Sequence, residues 1–264
     1  MTGPETKTLS ISLIQSETVW EDITANLDNI EHLLRKHSTF SDLYILPETF
    51  STGFTMQPEK FSEKESERAV QWMKEQAQKL NAMFIGGVIC REGKMYFNRL
   101  YWITSSGTEG HYDKRHLFRM GREQEHYKAG SERKIISYRG FRILPLICYD
   151  LRFPVFSRNR NDYDILLYIA NWPASRQHVW NILLQARAIE NQSYVLGVNR
   201  TGIDGEGMKH SGETSIIDPL GQKRAGLKDK PGILHYEIHL NEITDFRRKF
   251  PVLKDADNFA INFD

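Results

Sequence analysis

Residues 164–170, DILLYIA, set the strongest limit on how this chain folds. Past Asp164 the run has no polar face, whichever alternate positions are taken together. A strand with one wet face alternates apolar and polar residues; a strand covered on both sides does not. The run therefore predicts a sheet sandwiched between other layers. Residues 8–15, TLSISLIQ, alternate with period two and read as another strand. Ile23, Leu27, Ile30, Leu33 and Leu34 fall on one helical face, and residues 66–80 carry a second stripe at Val70, Met73 and Ala77. DLYILPE is a short strand, and AMFIGGVICRE and MYFNRLYWITSSG form a hairpin about Gly93-Lys94. KIISYRGFRILPLICY is a strand pair turning at Arg139-Gly140, and YVLGVNR, ETSIIDPLG and ILHYEIHL are three further strands. A helix is predicted over 176–191, with a partly helical tail from Asn241. No internal repeat or linker is visible. The pattern predicts an α/β protein with large sheets covered by helices.

Composition narrows the function. A net charge of +1 lacks the basic excess that phosphate backbones require, so no nucleic-acid partner is expected. Two cysteines in 264 residues make no disulfide framework and point to a reducing compartment. The opening residues, MTGPETKTLSIS, show no cationic segment followed by an apolar run, and no stretch approaches the length of a membrane span. A cytoplasmic protein without a membrane partner is expected. The glycosylation sequons at Asn191 and Asn199 are then chance matches.

Several familiar sites are absent. No phosphate loop occurs and no GxGxxG follows a strand; Gly205, Gly207 and Gly212 are wrongly spaced in a polar loop. There is no CxxC or HExxH pair, and His111, His116 and His126 lack ligand spacing, so neither a metal nor a cofactor is expected.

Three strand-end segments remain. LPETF places Glu48 just past an apolar run, HYDKRHLF places Lys114 after a strand, and LICYD places Cys148 where RILPLI gives way to a polar turn. Alone, each has an ordinary explanation: a buried small thiol, a solvated carboxylate, a surface charge. Cys90, in GVICRE, is the internal contrast, since its strand runs on into charged residues. Together the three can do chemistry. A thiol with an ordinary pKa of about 8.5 needs a base to attack an amide. The tetrahedral intermediate needs donors at its oxygen, and the departing ammonia needs a proton. Glu48 can move the proton, while Lys114 and the backbone N–H of Tyr149 hold the oxygen.

These segments resemble the nitrilase superfamily of carbon–nitrogen hydrolases, with its Glu–Lys–Cys catalytic set. LPETFSTGF, YDKRHLF and CYDLRFP are similar to its glutamate, lysine and cysteine segments, and ANWPASR, ARAIENQSYVLGVNRTG, GETSIIDPLG and RRKFPVLKDADNF extend the likeness nearly end to end. The resemblance implies a four-layer α-β-β-α sandwich formed by one domain over 1–264, with 1–7 flexible and 241–264 a C-terminal extension. It implies a homodimer, for which 176–191 and the tail are the candidate surface. It also implies a second glutamate against Lys114, at Glu123 with Glu125 as competitor.

KRHLFRM, CYDLRFPVFSRN and ANWP look most like the omega-amidase branch, which cleaves short dicarboxylate monoamides such as 2-oxoglutaramate and 2-oxosuccinamate through a thioester. The remote carboxylate of such a small-molecule amide suits a guanidinium, and Arg152 and Arg115 are candidates unless they pair with Asp150 and Asp113. Phe118, Tyr149 and Trp172 are candidate walls. The alternatives are a nitrilase, an N-carbamoyl amine hydrolase, or a non-catalytic metabolite-binding module.

Overall fold

The computed structural model describes residues 7–107 and 109–262. The flexibility expected of residues 1–7 therefore lies outside the described residues, Lys7 excepted. The strands are β1 (Thr8–Gln15), β2 (Leu43–Ile45), β3 (Met83–Glu92), β4 (Met95–Ile103), β5 (Glu109–Asp113), β6 (Ile136–Tyr138) and β7 (Phe141–Ile147). They continue as β8 (Ile165–Ala170), β9 (Tyr194–Asn199), β10 (Thr201–Ile203), β11 (Lys209–Ser211), β12 (Ser215–Ile217), β13 (Lys223–Gly226) and β14 (Gly232–His239). The helices are α1 (Ile23–Lys36), α2 (Glu63–Leu80), α3 (Glu123–His126), α4 (Pro154–Ser157), α5 (Gln177–Asn191) and α6 (Leu240–Lys249).

Two six-stranded sheets form, in the orders β14-β1-β2-β3-β4-β5 and β6-β7-β8-β9-β12-β13. Each has two adjacent parallel joints, β1-β2-β3 and β7-β8-β9, with antiparallel pairs outside them. The sheets thus repeat one pairing pattern that no sequence repeat announces. The four parallel joints need crossovers, which α1, α2 and α5 supply for three and the segment carrying α4 supplies between β7 and β8.

The alternation in β1 decides which side chains meet. Leu9, Ile11 and Leu13 enter the core between the sheets, whereas Ile14 joins the cluster under α1 and α2 with Leu27, Ile30, Trp72, Met73 and Ala77. Every residue of β8 is buried, because the first sheet covers one face and α5 the other with Trp180, Leu184 and Ala188. Gly197 of β9 lets α5 come close: a Cβ there would meet Leu184 at 2.5 Å and Trp180 at 2.8 Å. The result is the four-layer α-β-β-α sandwich.

Local capping agrees with the helix boundaries. Asp22 accepts from Ala25 N at the start of α1, and a Ser62/Glu65 capping box opens α2 three residues before the predicted start. One segment differs from expectation. The polar stretch after Arg200 is a strand pair, β10 with β11, because Thr201–Ile203 finds its ladder in Lys209–Ser211 across the turn. The sequon residues Asn191 and Asn199 are both buried.

Candidate active site

Cys148 follows β7 directly and opens a 3-10 turn, Cys148–Arg152, with its own φ at +44°. A left-handed backbone at a non-glycine residue is strained by about 1–2 kcal/mol. Asp150 holds this turn. Its Oδ2 accepts from Ile147 N at 3.0 Å and from the Tyr112 hydroxyl at 2.8 Å, while Oδ1 accepts from His116 N at 3.0 Å. Tyr112 and His116 flank Lys114, so Asp150 ties the cysteine segment to the lysine segment.

Lys114 comes just after β5, and its backbone N–H donates to Asn98 O at 3.0 Å, which extends the β4–β5 ladder by one step. Glu48 sits in the turn after β2, beside Thr49 with φ +41°. That turn lies against β3, where a Cβ on Gly87 would come within 2.9 Å of Glu48 Cα and Thr49 N. Only a residue without a side chain admits the glutamate segment there.

The side chains converge. Lys114 Nζ donates to Glu48 Oε1 at 2.8 Å and to Glu123 Oε1 at 3.1 Å, and all three are essentially without exposed surface. Asn98 Nδ2 donates to the same two carboxylates. Asn171 N donates to Glu48 Oε2 at 2.7 Å, and Phe118 N donates to Glu123 Oε2 at 2.6 Å. The backbone of Asn171, which bonds Glu48, is also an electrostatic neighbour of the Cys148 thiol.

Electrostatics separate the groups. Burial pushes the Glu48 carboxyl up, but the Lys114 charge and the bonds from Lys114, Asn98 and Asn171 outweigh it and hold the group below the ordinary carboxylate range. Burial raises Glu123, helped by the Glu48 charge and opposed by Lys114. Burial alone would lower Lys114, yet Glu123 and Glu48 raise it and keep it charged. Cys148 keeps part of its residue surface open to the cavity, but desolvation of the sulfur and the Glu48 charge push the thiol well above its ordinary value. The resting arrangement is a neutral thiol beside an ionised carboxylate, which is what general-base activation needs.

Cys148 and Lys114 open on a cavity of about 180 Å³. Its lining includes all three candidate walls, Phe118, Tyr149 and Trp172, and also Arg152, which lies over the Trp172 ring at 5.3 Å. Arg115 does not line the cavity, and its guanidinium donates to Gly130 O at 3.3 Å. Asp150 is engaged with Tyr112 and His116, and Asp113 is held by Arg99. Glu123, not Glu125, joins the buried cluster, since Glu125 pairs with Arg122 at the surface.

Sequence reading missed several members. Asn171 and Asp150 adjoin segments already singled out, so strand-end position could have found them. Asn98 sits inside a strand, where a lone polar residue facing the core was the signal. Arg176, Arg200 and His210 reach the cavity from the helix α5 end and from the β10–β11 hairpin, and nothing local announces them.

A family model described as carbon-nitrogen hydrolase matches residues 10–248. Omega-amidase YafV of Escherichia coli (strain K12) is 45% identical over 254 residues, spanning 96% of this chain and 98% of that protein. The 2-oxoglutaramate amidase of Bacillus subtilis (strain 168) is 32% identical over 251 residues, spanning 93% and 96%. The crystal structure of XC1258 from Xanthomonas campestris, a CN-hydrolase superfamily protein with an arsenic adduct in its active site, superposes with a TM-score of 0.93 at 41% identity, covering 97% of this chain and 99% of that one.

Proposed function

The chain belongs to the carbon-nitrogen hydrolase family, and we propose that it is an omega-amidase that cleaves the terminal amide of short dicarboxylate monoamides, 2-oxoglutaramate and 2-oxosuccinamate, through a thioester on Cys148. One observation carries this reading: a cysteine on a strained strand end opens on one cavity with Lys114 of the buried Glu48–Lys114–Glu123 cluster. The near end-to-end likeness to an omega-amidase and to a 2-oxoglutaramate amidase supports the substrate class.

Glu48 takes the thiol proton as sulfur attacks the amide carbon. Lys114 and the Tyr149 N–H hold the oxyanion. As the intermediate collapses, the C–N bond breaks and Glu48 returns the proton to the nitrogen, which leaves as ammonia. Glu48 then takes a proton from water, whose oxygen attacks the thioester carbon. Collapse of the second intermediate releases the 2-oxo acid, and the thiol is restored. Glu123 holds the Lys114 ammonium in place, and Arg152 faces the remote carboxylate. The cavity volume suits a small substrate.

Ammonia release is measured from 2-oxoglutaramate, a simple nitrile and an N-carbamoyl amino acid. The wild type favours the first, and Cys148→Ala stays folded without turnover. Preference for the nitrile would overturn the branch assignment; about a tenth of wild-type rate in the alanine variant would overturn the thioester route. The homodimer and the cytoplasmic setting belong to the same proposal. Exposed Ile182, Ile189 and Phe250, on α5 and the C-terminal segment, are the surface a second copy covers. Among the described residues no helix is long and apolar enough to cross a membrane.

A further inference from the structure

Asn98 lies inside β4, two residues from Leu100 and on the same face, which turns into the core between the sheets. Its side chain has no exposed surface. A buried amide there is destabilising unless its hydrogen bonds are made. Nδ2 donates to Glu48 Oε1 at 2.7 Å and to Glu123 Oε1 at 3.0 Å. Lys114 Nζ donates to the same two oxygens at 2.8 and 3.1 Å. Two donors and two acceptors therefore alternate around a closed ring.

Chemistry settles the amide's orientation. Reversed, its oxygen would face two carboxylate oxygens. As oriented, both N–H bonds go to the carboxylates, and Oδ1 has no hydrogen-bond partner among the described residues. The ring is also built into the sheet. The bond from Lys114 N to Asn98 O makes the two residues cross-strand neighbours, with side chains on one face.

An ammonium has three N–H bonds. Two serve Glu48 and Glu123, and Lys114 also lines the cavity. Two carboxylates beside a single ammonium repel each other, and a neutral donor between them relieves that without adding charge. Asn98 itself is not among the cavity-lining residues, so it acts through its neighbours.

We propose that Asn98 is a positioning residue for amide hydrolysis: its amide clamps Glu48 and Glu123 about Lys114, keeps Glu48 ionised as the base, and frees the third Lys114 N–H for the oxyanion. This rests on the Cys148 amidase reading above. Asn98 lowers both carboxyls, so its loss moves Glu48 upward.

The test compares Asn98→Leu, of similar size without donors, with Asn98→Asp, of the same shape but carrying a third carboxylate. For Asn98→Leu we expect kcat to fall about tenfold or more, with KM within about threefold. The acid limb of kcat/KM moves up by about one pH unit. Asn98→Asp loses more and shifts further. A folded Asn98→Leu enzyme with more than half the wild-type kcat/KM, or with an unmoved acid limb, overturns the proposal.

Should either variant not fold, wild-type protein labelled with ¹⁵N-asparagine decides. The Asn98 side-chain amide signals should resist solvent exchange and shift with pH as the neighbouring carboxyls titrate. Signals that stay still across that range overturn the proposal. A wild-type enzyme inert on every amide would sink the amidase reading and with it the catalytic role of Asn98, whereas the titration alone would still decide whether Asn98 clamps the two carboxylates.

Discussion

Replacing Lys114 with methionine, a side chain of similar length without charge, should make stability depend on pH in the opposite sense to an ordinary buried ion pair. In the wild type Glu48, Glu123 and Lys114 are all about fully buried, and Lys114 bridges both carboxylates. Without the ammonium the folded protein must bury two bare carboxylates or protonate them. The unfolded chain ionises glutamate at about pH 4.3, and each pH unit above that adds about 1.36 kcal/mol to the work of holding one carboxyl neutral.

For one proton held in the cluster, the penalty is about 3.7 kcal/mol at pH 7 and about 1 kcal/mol at pH 5. The first figure agrees with the roughly 3–5 kcal/mol that breaking a buried pair typically costs. The sign follows from the direction of each shift. A carboxyl raised above its unfolded value stabilises the fold below that value, and its contribution is lost as pH rises through the folded pKa. Wild-type Glu48 is lowered and does the reverse, since its contribution is present above the unfolded value and lost as pH falls. Wild-type Glu123 is already raised by burial; without the ammonium that opposes this it rises further, and the cluster holds one proton. Urea unfolding followed by tryptophan fluorescence should therefore show the deficit relative to wild type growing by about 1.4 kcal/mol per pH unit between pH 5 and 7. A deficit that is flat over this range, or larger at pH 5, would refute the picture of two carboxylates neutralised by one lysine.

Gly87→Ala places a methyl 2.9 Å from Glu48 Cα and Thr49 N, backbone atoms that cannot swing aside. We expect a loss of about 1–3 kcal/mol in thermal or urea unfolding, with a larger proportional loss of kcat because the base is displaced. Unchanged turnover would show that the glutamate turn has slack. Arg152→Gln removes a cavity guanidinium. If it meets the remote carboxylate, KM for 2-oxoglutaramate rises about tenfold or more, while KM for a neutral linear amide of equal length does not. Equal changes for both amides would assign Arg152 to the cavity wall alone.

Much of the architecture was legible because it is written in local periodicity. The strand at Thr8–Gln15, the hairpin about Gly93-Lys94 and the turn at Arg139-Gly140 all follow from alternation and turn chemistry. The helix over 176–191 needed a shift of one residue. The β10–β11 pair was not legible, since its strands are short and mostly polar and gain their identity only from each other. Arg152 and Arg115 are alike as sequence, each a guanidinium near a reactive residue. Which one reaches the cavity depends on backbone direction, to which composition is blind.

The covered strands, the amphipathic helices and the placement of Glu48, Lys114 and Cys148 at strand ends came from the chain alone, because burial pattern and turn residues act over a few neighbours. Tertiary structure alone decided that Asn98 would clamp two carboxylates, that Gly87 would make room for one of them, and that Asp150 would tie the cysteine turn to the lysine segment. Those contacts join residues tens of positions apart through strand register and sheet packing. The charge a buried group keeps is set by such distant neighbours, so the reactivity of this site comes into being only when the sheets close on each other.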